Sequence, residues 1–407
     1  MQAKTLDIFH DTAASAPASF SGFDDLIAPI GADAFFERYW ERRPFFVKRA
    51  APGYFDALLS LEDMDRYLGT RIFHEPDIRV VRQGKDKPFK QYAKDGVADR
   101  HALLQAYAEG WMLLFSHLGR HHLPLADAVS RCESELHQPF RANVYLSPPN
   151  SQGFKLHWDT HDVLVLQVAG AKTWHIYDDP LELPHEEQQK LLPEMIDKAV
   201  KIAEVTLEPG DVLFLPRGYI HGAESGAVNS LHVTVGMRNL TLGDIALREF
   251  RRASLAHPAM RRVALHQHYQ SAEKQEQVRA LIHELIDSMD LDGALDDVYC
   301  SFINSRQPPA PGRLLALSQP PMGRELDHET SLRLRSGTLF ELFEKPDQVK
   351  LAIDGRVVTL PQGVSGAIRF MREQPRFMPA QLPGLEYESR LLLARTLLAE
   401  GLIEMEA

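Results

Sequence analysis

Residues 140 to 239 consist of short apolar segments separated by turn-forming residues, and this pattern restricts the fold more than any other feature of the chain. Runs of four to eight residues between prolines, glycines and asparagines are typical of β-strands. Many such strands at this spacing predict a β-sandwich or a β-barrel. Residues 162–168 and 172–177 are joined through Gly170, so we predict that they form a β-hairpin. The segments are NVYLS (143–147), DVLVLQV (162–168), KTWHIY (172–177), DVLFL (211–215) and LHVTVGM (231–237).

The segments on either side of this region follow a mostly helical pattern. Residues 1 to about 130 mix helices with short strands, and residues 242 to 305 carry apolar side chains at helical spacing. A charged insert, residues 183 to 201, is also expected to be helical. A proline-rich connection, residues 305 to 314, leads to a last segment of strands and helices. A chain of 407 residues with this organisation predicts two or three domains.

Composition and charge argue against several classes of protein. Cys132 and Cys300 form neither a disulfide framework nor a zinc-finger pattern. The first residues lack the apolar core of a signal peptide and no segment is long enough to span a membrane, so we expect a cytoplasmic protein. The net charge of −11 lies in residues 1 to 330, because residues 331 to 407 carry ten basic and ten acidic side chains. This distribution suits a basic partner, and direct nucleic-acid binding is not expected.

The motif His157-Trp158-Asp159 is the one His-x-Asp sequence in the chain and the first candidate for a metal site. In a β-strand, side chains two residues apart face the same side, so the imidazole and the carboxylate would converge. A third ligand has to come from another strand, and His221 is the candidate. Two histidines and one carboxylate leave three coordination positions open, which is typical of non-haem Fe(II) oxygenases, whereas zinc prefers four-coordination. A rival motif, His185-Glu186-Glu187, lies in the predicted helical insert, where residues two apart do not share a face.

Two longer segments resemble a known family. GDVLFLPRGYIH, residues 210 to 221, resembles the second motif of the cupin superfamily, in which a Pro-Gly turn reverses one strand and the next strand presents a histidine inward. Ser225 stands where the family motif has asparagine, which affects a turn position and no metal ligand. NVYLSPPNSQGFKLHWDTHDVLVLQVAGAKTWHIY, residues 143 to 177, resembles the JmjC branch of the cupins and, within it, the ribosomal oxygenases, which modify ribosomal proteins.

This resemblance implies an α+β fold, with a double-stranded β-helix (cupin/JmjC) barrel, a helical dimerisation region and a C-terminal winged helix. The JmjC/cupin catalytic domain would be residues 1–245, the helical dimerisation region residues 246–330, and the winged-helix-like domain residues 331–407. The chain would be a bacterial member of the family and a homodimer.

The resemblance also implies Fe(II), 2-oxoglutarate and O2 as cofactors and co-substrates, with the iron on His157, Asp159 and His221. Lys172 occupies the place of the basic residue that binds the far carboxylate of 2-oxoglutarate. Without the family, an exposed turn lysine is the simpler interpretation of Lys172, because lysines are seldom buried.

Other polar residues on the same predicted strands are candidates for the site. Asn143 and Tyr145 match family positions near the co-substrate and the substrate, although inward-facing core residues are an equal alternative. Thr234 is a further candidate for co-substrate binding. His232, on the same face as Thr234, is expected to be a hydrogen-bonded core histidine rather than a fourth ligand. His161 is a pocket candidate because it follows the motif closely.

These residues, together with the resemblance, imply an Fe(II)- and 2-oxoglutarate-dependent dioxygenase. The resemblance by itself implies that the substrate is a protein side chain, an arginine or a histidine of a ribosomal protein. A basic protein substrate suits the acidic residues 1 to 330. Three alternatives are left open: a metal-sensing regulator with a cupin sensor and a winged-helix output, a 2-oxoglutarate oxygenase acting on a peptide or a small metabolite, and a cupin isomerase that uses zinc or manganese.

Overall fold

The chain forms two compact units, Met1–Asn239 and Leu240–Ala407, which are considered separately. The computed structural model describes residues 5–12, 14–20, 22–49, 51–116, 118–188, 193–238, 240–264, 266, 270–309, 326–335, 337–345 and 348–406. Among these residues, no helix has both the length and the apolar character that a membrane span requires.

The first unit is built on a nine-stranded sheet. Its strands, together with those of two smaller sheets, are β1 (Asp7–Asp11), β2 (Phe45–Arg49), β3 (Ile78–Arg82), β4 (Lys85–Asp86), β5 (Ala93–Lys94), β6 (Val97–Ala98), β7 (Met112–Ser116), β8 (Phe140–Ser147), β9 (Asp162–Gly170), β10 (Lys172–Tyr177), β11 (Lys201–Leu207), β12 (Val212–Leu215), β13 (His221–Glu224) and β14 (Ser230–Met237). The order in the large sheet is β1-β2-β12-β9-β14-β8-β7-β3-β4. Its strands are antiparallel except for the parallel pair β1 and β2.

Strand β9 is apolar along most of its length because both of its faces are buried. Leu164 and Leu166 belong to the larger core cluster, which the sheet shares with the helices. Val163 and Val165 point the other way, into a second cluster with Trp174. Continuous apolar runs are typical of strands that are covered on both faces.

A three-stranded sheet with the order β11-β10-β13 packs on that second face. The predicted hairpin of residues 162–168 and 172–177 is therefore wrong, because β9 pairs with β12 and β14 whereas β10 pairs with β11 and β13. Gly170 has a φ of +64°, and a Cβ there would lie 1.8 Å from the carbonyl oxygen of Asn229, so the chain turns a corner that only glycine allows. The glycine does mark a turn, but a turn signal does not specify which sheet the next strand joins.

Five helices share the larger core cluster with the large sheet in the described part of the first unit. They are α1 (Phe23–Ile27), α2 (Ala32–Arg38), α3 (Leu61–Thr70), α4 (Arg100–Ala108) and α5 (Leu123–Leu136), whereas the short helix α6 (Pro193–Lys198) has no buried residue. α3 begins at a capping box of Ser60 and Asp63, and Phe35 and Met64 are fully buried in the larger core cluster. The predicted helix over residues 183 to 201 is present only as a short 3-10 turn, Glu186–Gln188, and α6; residues 189–192 lie outside the described residues.

In its described residues, the second unit begins with three helices, which are followed by a mixed region of strands and helices. Its elements are α7 (Leu242–Ala256), α8 (Ala272–Asp287), α9 (Leu291–Ser305), β15 (Leu332–Leu334), β16 (Phe340–Lys345), β17 (Gln348–Ile353), β18 (Arg356–Leu360), α10 (Ser365–Glu373), β19 (Arg376–Phe377), α11 (Tyr387–Glu400) and β20 (Ile403–Met405). The strands form two three-stranded sheets, β19-β15-β20 and β16-β17-β18. Helices in residues 242 to 305 are as predicted, while residues 310–314 of the predicted proline-rich connection lie outside the described residues.

Candidate metal centre and active-site cavity

The two predicted metal motifs meet through their backbones. The amide of His157 donates to the carbonyl of His221 at 3.0 Å, and the amide of His221 donates back at 2.8 Å. The amide of Gly218, in the Pro-Gly turn before β13, donates to the carbonyl of Asp159 at 3.0 Å. The expectation that His157 and Asp159 share a regular strand is wrong, because they lie in the loop between β8 and β9 and only this isolated bridge fixes them. Their side chains nevertheless converge on His221.

The three side chains are close enough to bind one ion. One ligand atom from each lies within 4.8 Å of the others, and Nε2 of His221 is 3.6 Å from Oδ2 of Asp159. Nδ1 of His157 lies 2.8 Å from the carbonyl oxygen of Lys155, and Nδ1 of His221 lies 3.0 Å from that of Tyr219. A carbonyl oxygen can only accept, so each Nδ1 carries the proton and each Nε2 keeps its lone pair for a metal.

Electrostatics hold these groups in the protonation states that a metal requires. Burial lowers the pKa of His221, and the neighbouring His157 lowers it further, so its imidazole is neutral at neutral pH. Burial by itself would raise the pKa of Asp159, but His157, His221 and His161 together lower it below its usual value. A neutral imidazole and a carboxylate therefore face the same point.

A cavity of about 320 Å³ opens in front of these ligands, between the two sheets. Lys172, on β10, lines it and is only 4% exposed. Its Nζ donates to Oγ of Ser147 at 3.0 Å, and among the described residues it forms no ion pair. Burial alone lowers the pKa of Lys172 to about 7. The cavity thus contains a buried amine without an anionic partner, and the exposed turn lysine is ruled out.

The remaining predicted side chains also face this cavity. Asn143 and Tyr145 on β8 lie opposite Thr234 and His232 on β14, and all four line it. His232 is 2% exposed and stacks on Tyr145 at 4.6 Å, and burial together with Lys172 lowers its pKa well below the usual value. The expected hydrogen bond of His232 is missing at Nδ1, which is buried without a partner among the described residues.

His161, the pocket candidate, does line the cavity. Gln167 on β9 is buried away from it and donates to Ser230 and to the carbonyl of Ala169. Gln167 therefore stabilises the junction of β9 and β14. Within the described residues, His157, Asp159 and His221 form a group that could hold a metal ion, whereas the rival motif His185-Glu186-Glu187 does not.

Several residues of the cavity wall were not predicted from the sequence. They come from β3 and β7 and from the loop before His157, and include Arg79, Met112, Leu114, Ser116 and Phe154. β3 and β7 join β8 at the far side of the large sheet. No local signal marks these residues, because only this pairing brings them to the site.

Comparisons with known proteins agree with this arrangement. The family model of the JmjC domain matches residues 122–245. Ribosomal oxygenase 2 from Mus musculus is 32% identical over 246 residues, which are 57% of this chain and 50% of that protein. The bifunctional lysine-specific demethylase and histidyl-hydroxylase NO66 from Drosophila erecta is 27% identical over 405 residues, 87% of this chain and 58% of that protein. The chain thus spans about half the length of these curated relatives.

A solved structure shows the same fold at lower identity. YcfD, a ribosomal oxygenase from Escherichia coli solved in complex with cobalt and 2-oxoglutarate, superimposes with a TM-score of 0.53 at 20% identity, covering 92% of this chain and 98% of that one. Residues 122–245 thus match a JmjC domain, and the chain is similar in sequence to ribosomal oxygenases and similar in fold to YcfD.

Proposed function

We propose that the chain is an Fe(II)- and 2-oxoglutarate-dependent oxygenase that hydroxylates a side chain of a protein. The observation that carries this proposal is that one cavity is lined both by three possible metal ligands and by a buried lysine without an anionic partner among the described residues. A metal site alone would fit many cupins, and the lysine adds the requirement for an anionic co-substrate.

His157, Asp159 and His221 would hold a divalent ion. Nε2 of His221 and Oδ2 of Asp159 lie 3.6 Å apart, near enough for both to bind one ion at about 2.1 Å after a small adjustment. Two histidines and one carboxylate are the ligand set of the 2-His-1-carboxylate sites of Fe(II) oxygenases, in which further coordination positions are open to co-substrate and O2. When bound, Fe(II) with 2-oxoglutarate and O2 supplies the oxidising power to hydroxylate an unactivated C–H bond.

Lys172 supports 2-oxoglutarate as the co-substrate. Its ammonium would pair with the far carboxylate of a bound 2-oxo acid, and such charge-assisted bonds are strong in a buried site. Oγ of Ser147 accepts a hydrogen bond from the amine at 3.0 Å and so helps to orient it. Val163, Val165 and Leu215 line the same cavity and would exclude water from the bound co-substrate.

The substrate class rests on the relatives and on charge. The relatives include ribosomal oxygenases and a histidyl-hydroxylase, and we propose an arginine or a histidine of a ribosomal protein as the target. A basic substrate protein complements a chain with a net charge of −11. The buried Oδ1 of Asn143 has no hydrogen-bond partner among the described residues, so it could accept a bond from an N–H of the substrate side chain.

We propose in addition that the protein is a homodimer that associates through the helices of residues 246–330, with residues 331–407 as a winged-helix-like domain. Helix α7 supports this, because Leu242, Leu247 and Leu255 are 85%, 69% and 64% exposed. Apolar side chains at such density are typical of an interface. Light scattering on the full chain tests the association, and a monomer at micromolar concentration would contradict it.

The decisive experiment is a reaction on native substrate. Protein purified without oxygen is mixed with Fe(II), 2-oxoglutarate, ascorbate and ribosomal proteins from a strain that lacks the gene, and air is then admitted. Intact-mass spectrometry follows the gain of one oxygen on any ribosomal protein while succinate is measured in parallel. We expect one ribosomal protein to gain one oxygen, and peptide fragmentation then names the modified residue.

Two variants make this experiment specific. Asp159→Ala should lose both succinate and product because it removes the carboxylate ligand, whereas Glu187→Ala is a matched control, since its carboxylate also lies two residues after a histidine. Succinate without a modified ribosomal protein would contradict the ribosomal substrate and indicate a peptide or a small metabolite. Metal binding without either product would contradict the oxygenase and indicate a metal-sensing regulator.

A further inference from the structure

The turn between β3 and β4 lies directly against the loop that carries the first metal ligand. The amide of Gln83 donates to the carbonyl of Gln152 at 2.8 Å, and the amide of Gly84 donates to that of Gly153 at 2.6 Å. His157 follows this loop segment by four residues. The hairpin therefore fixes the backbone on the N-terminal side of the metal motif.

Arg79, on β3, extends this contact to the side chains. Its guanidinium donates two hydrogen bonds of 3.0 Å to the carboxylate of Asp86 on β4, so its plane is held in one orientation. It lies 5.4 Å from the ring centre of Phe154, within the range of a cation–π contact. The Phe154 ring lies 5.5 Å from the imidazole of His157, at an angle of 56°. Asp86, Arg79, Phe154 and His157 thus form a continuous row at the edge of the cavity.

We propose that Arg79 is a positioning residue that acts through Phe154 and holds the His157 imidazole in the orientation that presents Nε2 to the metal. Among the described residues, the His157 ring forms one hydrogen bond, from Nδ1 to the carbonyl of Lys155, so packing has to limit the rotation of the ring plane. Phe154 supplies that packing, and Arg79 keeps Phe154 in place. The proposal rests on the proposed function only because it takes His157 as a metal ligand.

Arg79 could have two simpler roles, stabilising the fold or contacting a substrate, and both can be distinguished from positioning. Arg79 and Asp86 are 43% and 54% exposed, so they contribute little to the stability of the fold. Arg79 also lines the cavity, where it could instead contact a substrate directly. Metal affinity measured without any substrate distinguishes positioning from substrate contact, and it does not depend on turnover.

The experiment titrates Co(II) into the metal-free full chain and into variants, with the dissociation constant taken from competition with a fluorescent chelator and the geometry from the cobalt d–d spectrum. We expect Arg79→Gln and Phe154→Leu each to raise the Kd about tenfold, at the low end of the effect of outer-shell partners. Asp86→Asn should raise it less, and Arg79→Lys should restore part of the loss. Arg333→Gln is the matched control, since Arg333 pairs with Glu404 at similar exposure in the other unit.

A double variant tests the route through Phe154. If Arg79 acts through this ring, Arg79→Gln will have no further effect on the Kd in a Phe154→Leu background, whereas independent roles would add. A Kd for Arg79→Gln equal to that of the wild type, or additive effects in the double variant, would overturn the inference and leave the proposed function intact. A wild-type chain that binds no Co(II) would overturn the metal site itself, and the inference with it.

Discussion

Replacing the buried Lys172 should increase the stability of the protein, whereas most substitutions of buried residues decrease it. Burial lowers the pKa of Lys172 from 10.5 to about 7, so the folded protein binds this proton much more weakly than the unfolded chain does. At pH 7 this difference in pKa costs the folded state on the order of 4 kcal/mol. Lys172→Met keeps the length of the side chain and removes the titrating group. The metal-free variant should therefore be more stable than the wild type at pH 7, by roughly 2 to 4 kcal/mol after the lost bond to Ser147 is subtracted.

The pH dependence of the free energy of unfolding identifies the titration of Lys172 as the cause of this difference in stability. Between pH 7 and pH 10.5 the unfolded chain binds one proton more at Lys172, so the stability of the wild type rises with pH while that of the variant does not gain from this group. The difference between them should shrink by about 2 kcal/mol from pH 7 to pH 9.

Urea unfolding followed by tryptophan fluorescence measures the free energy of unfolding of the relevant unit. The four tryptophans, at positions 40, 111, 158 and 174, all lie in the first unit, so the signal reports on the part of the chain that contains the cavity. A variant that is less stable than the wild type by the same amount at pH 7 and pH 9 would refute the reasoning, because a packing loss does not titrate.

Two further predictions concern the same lysine and the turn before it. Lys172 must be protonated to bind a carboxylate, so the Kd of the Co(II)-loaded protein for 2-oxoglutarate should rise up to about tenfold per pH unit above pH 7. Calorimetry measures this Kd. The same dependence of the Kd on pH in Lys172→Met would contradict the prediction. Gly170→Ala should destabilise the first unit by about 3 kcal/mol or more in urea unfolding, since its Cβ would meet a backbone carbonyl. Gly96 is the control, because it also has a positive φ but has open space around it, and Gly96→Ala should cost only about 1 kcal/mol. Equal losses would contradict the steric argument.

The sequence predicts strands well where burial on both faces leaves a clear apolar run. The segments of residues 162–168 and 231–237 lie within β9 and β14, and all of their residues are buried. The pairing of the strands was not predicted correctly. The apolar pattern of β9 and β10 is compatible with a hairpin, and only the corner at Gly170 directs β10 into the other sheet. Local sequence specifies the conformation of a strand, whereas its partners depend on the packing of the whole unit.

Some residues of the candidate site could likewise be predicted from the sequence, and others could not. Residue type, motif spacing and the resemblance of residues 210 to 221 to a cupin motif singled out His157, Asp159 and His221, which the structure brings together. The burial of Lys172 could not be predicted from its neighbours, since a lysine that follows a glycine turn is ordinarily exposed. Arg79 carries no signal at all, because it reaches the cavity only through the pairing of β3 with β7 and of β7 with β8.

The backbone bridge between His157 and His221 also sets an order of events during protein synthesis. His221 follows His157 by sixty-four residues, and β9 to β12 lie between them. A nascent chain that ends before β13 therefore offers an ion only one imidazole and one carboxylate, too few to compete with cellular chelators. Metal would enter only after both motifs have emerged and joined, and it would then act as a ligand that binds the native state and not the unfolded one. Iron supply would thus influence how much folded protein accumulates, and not only how active each molecule is.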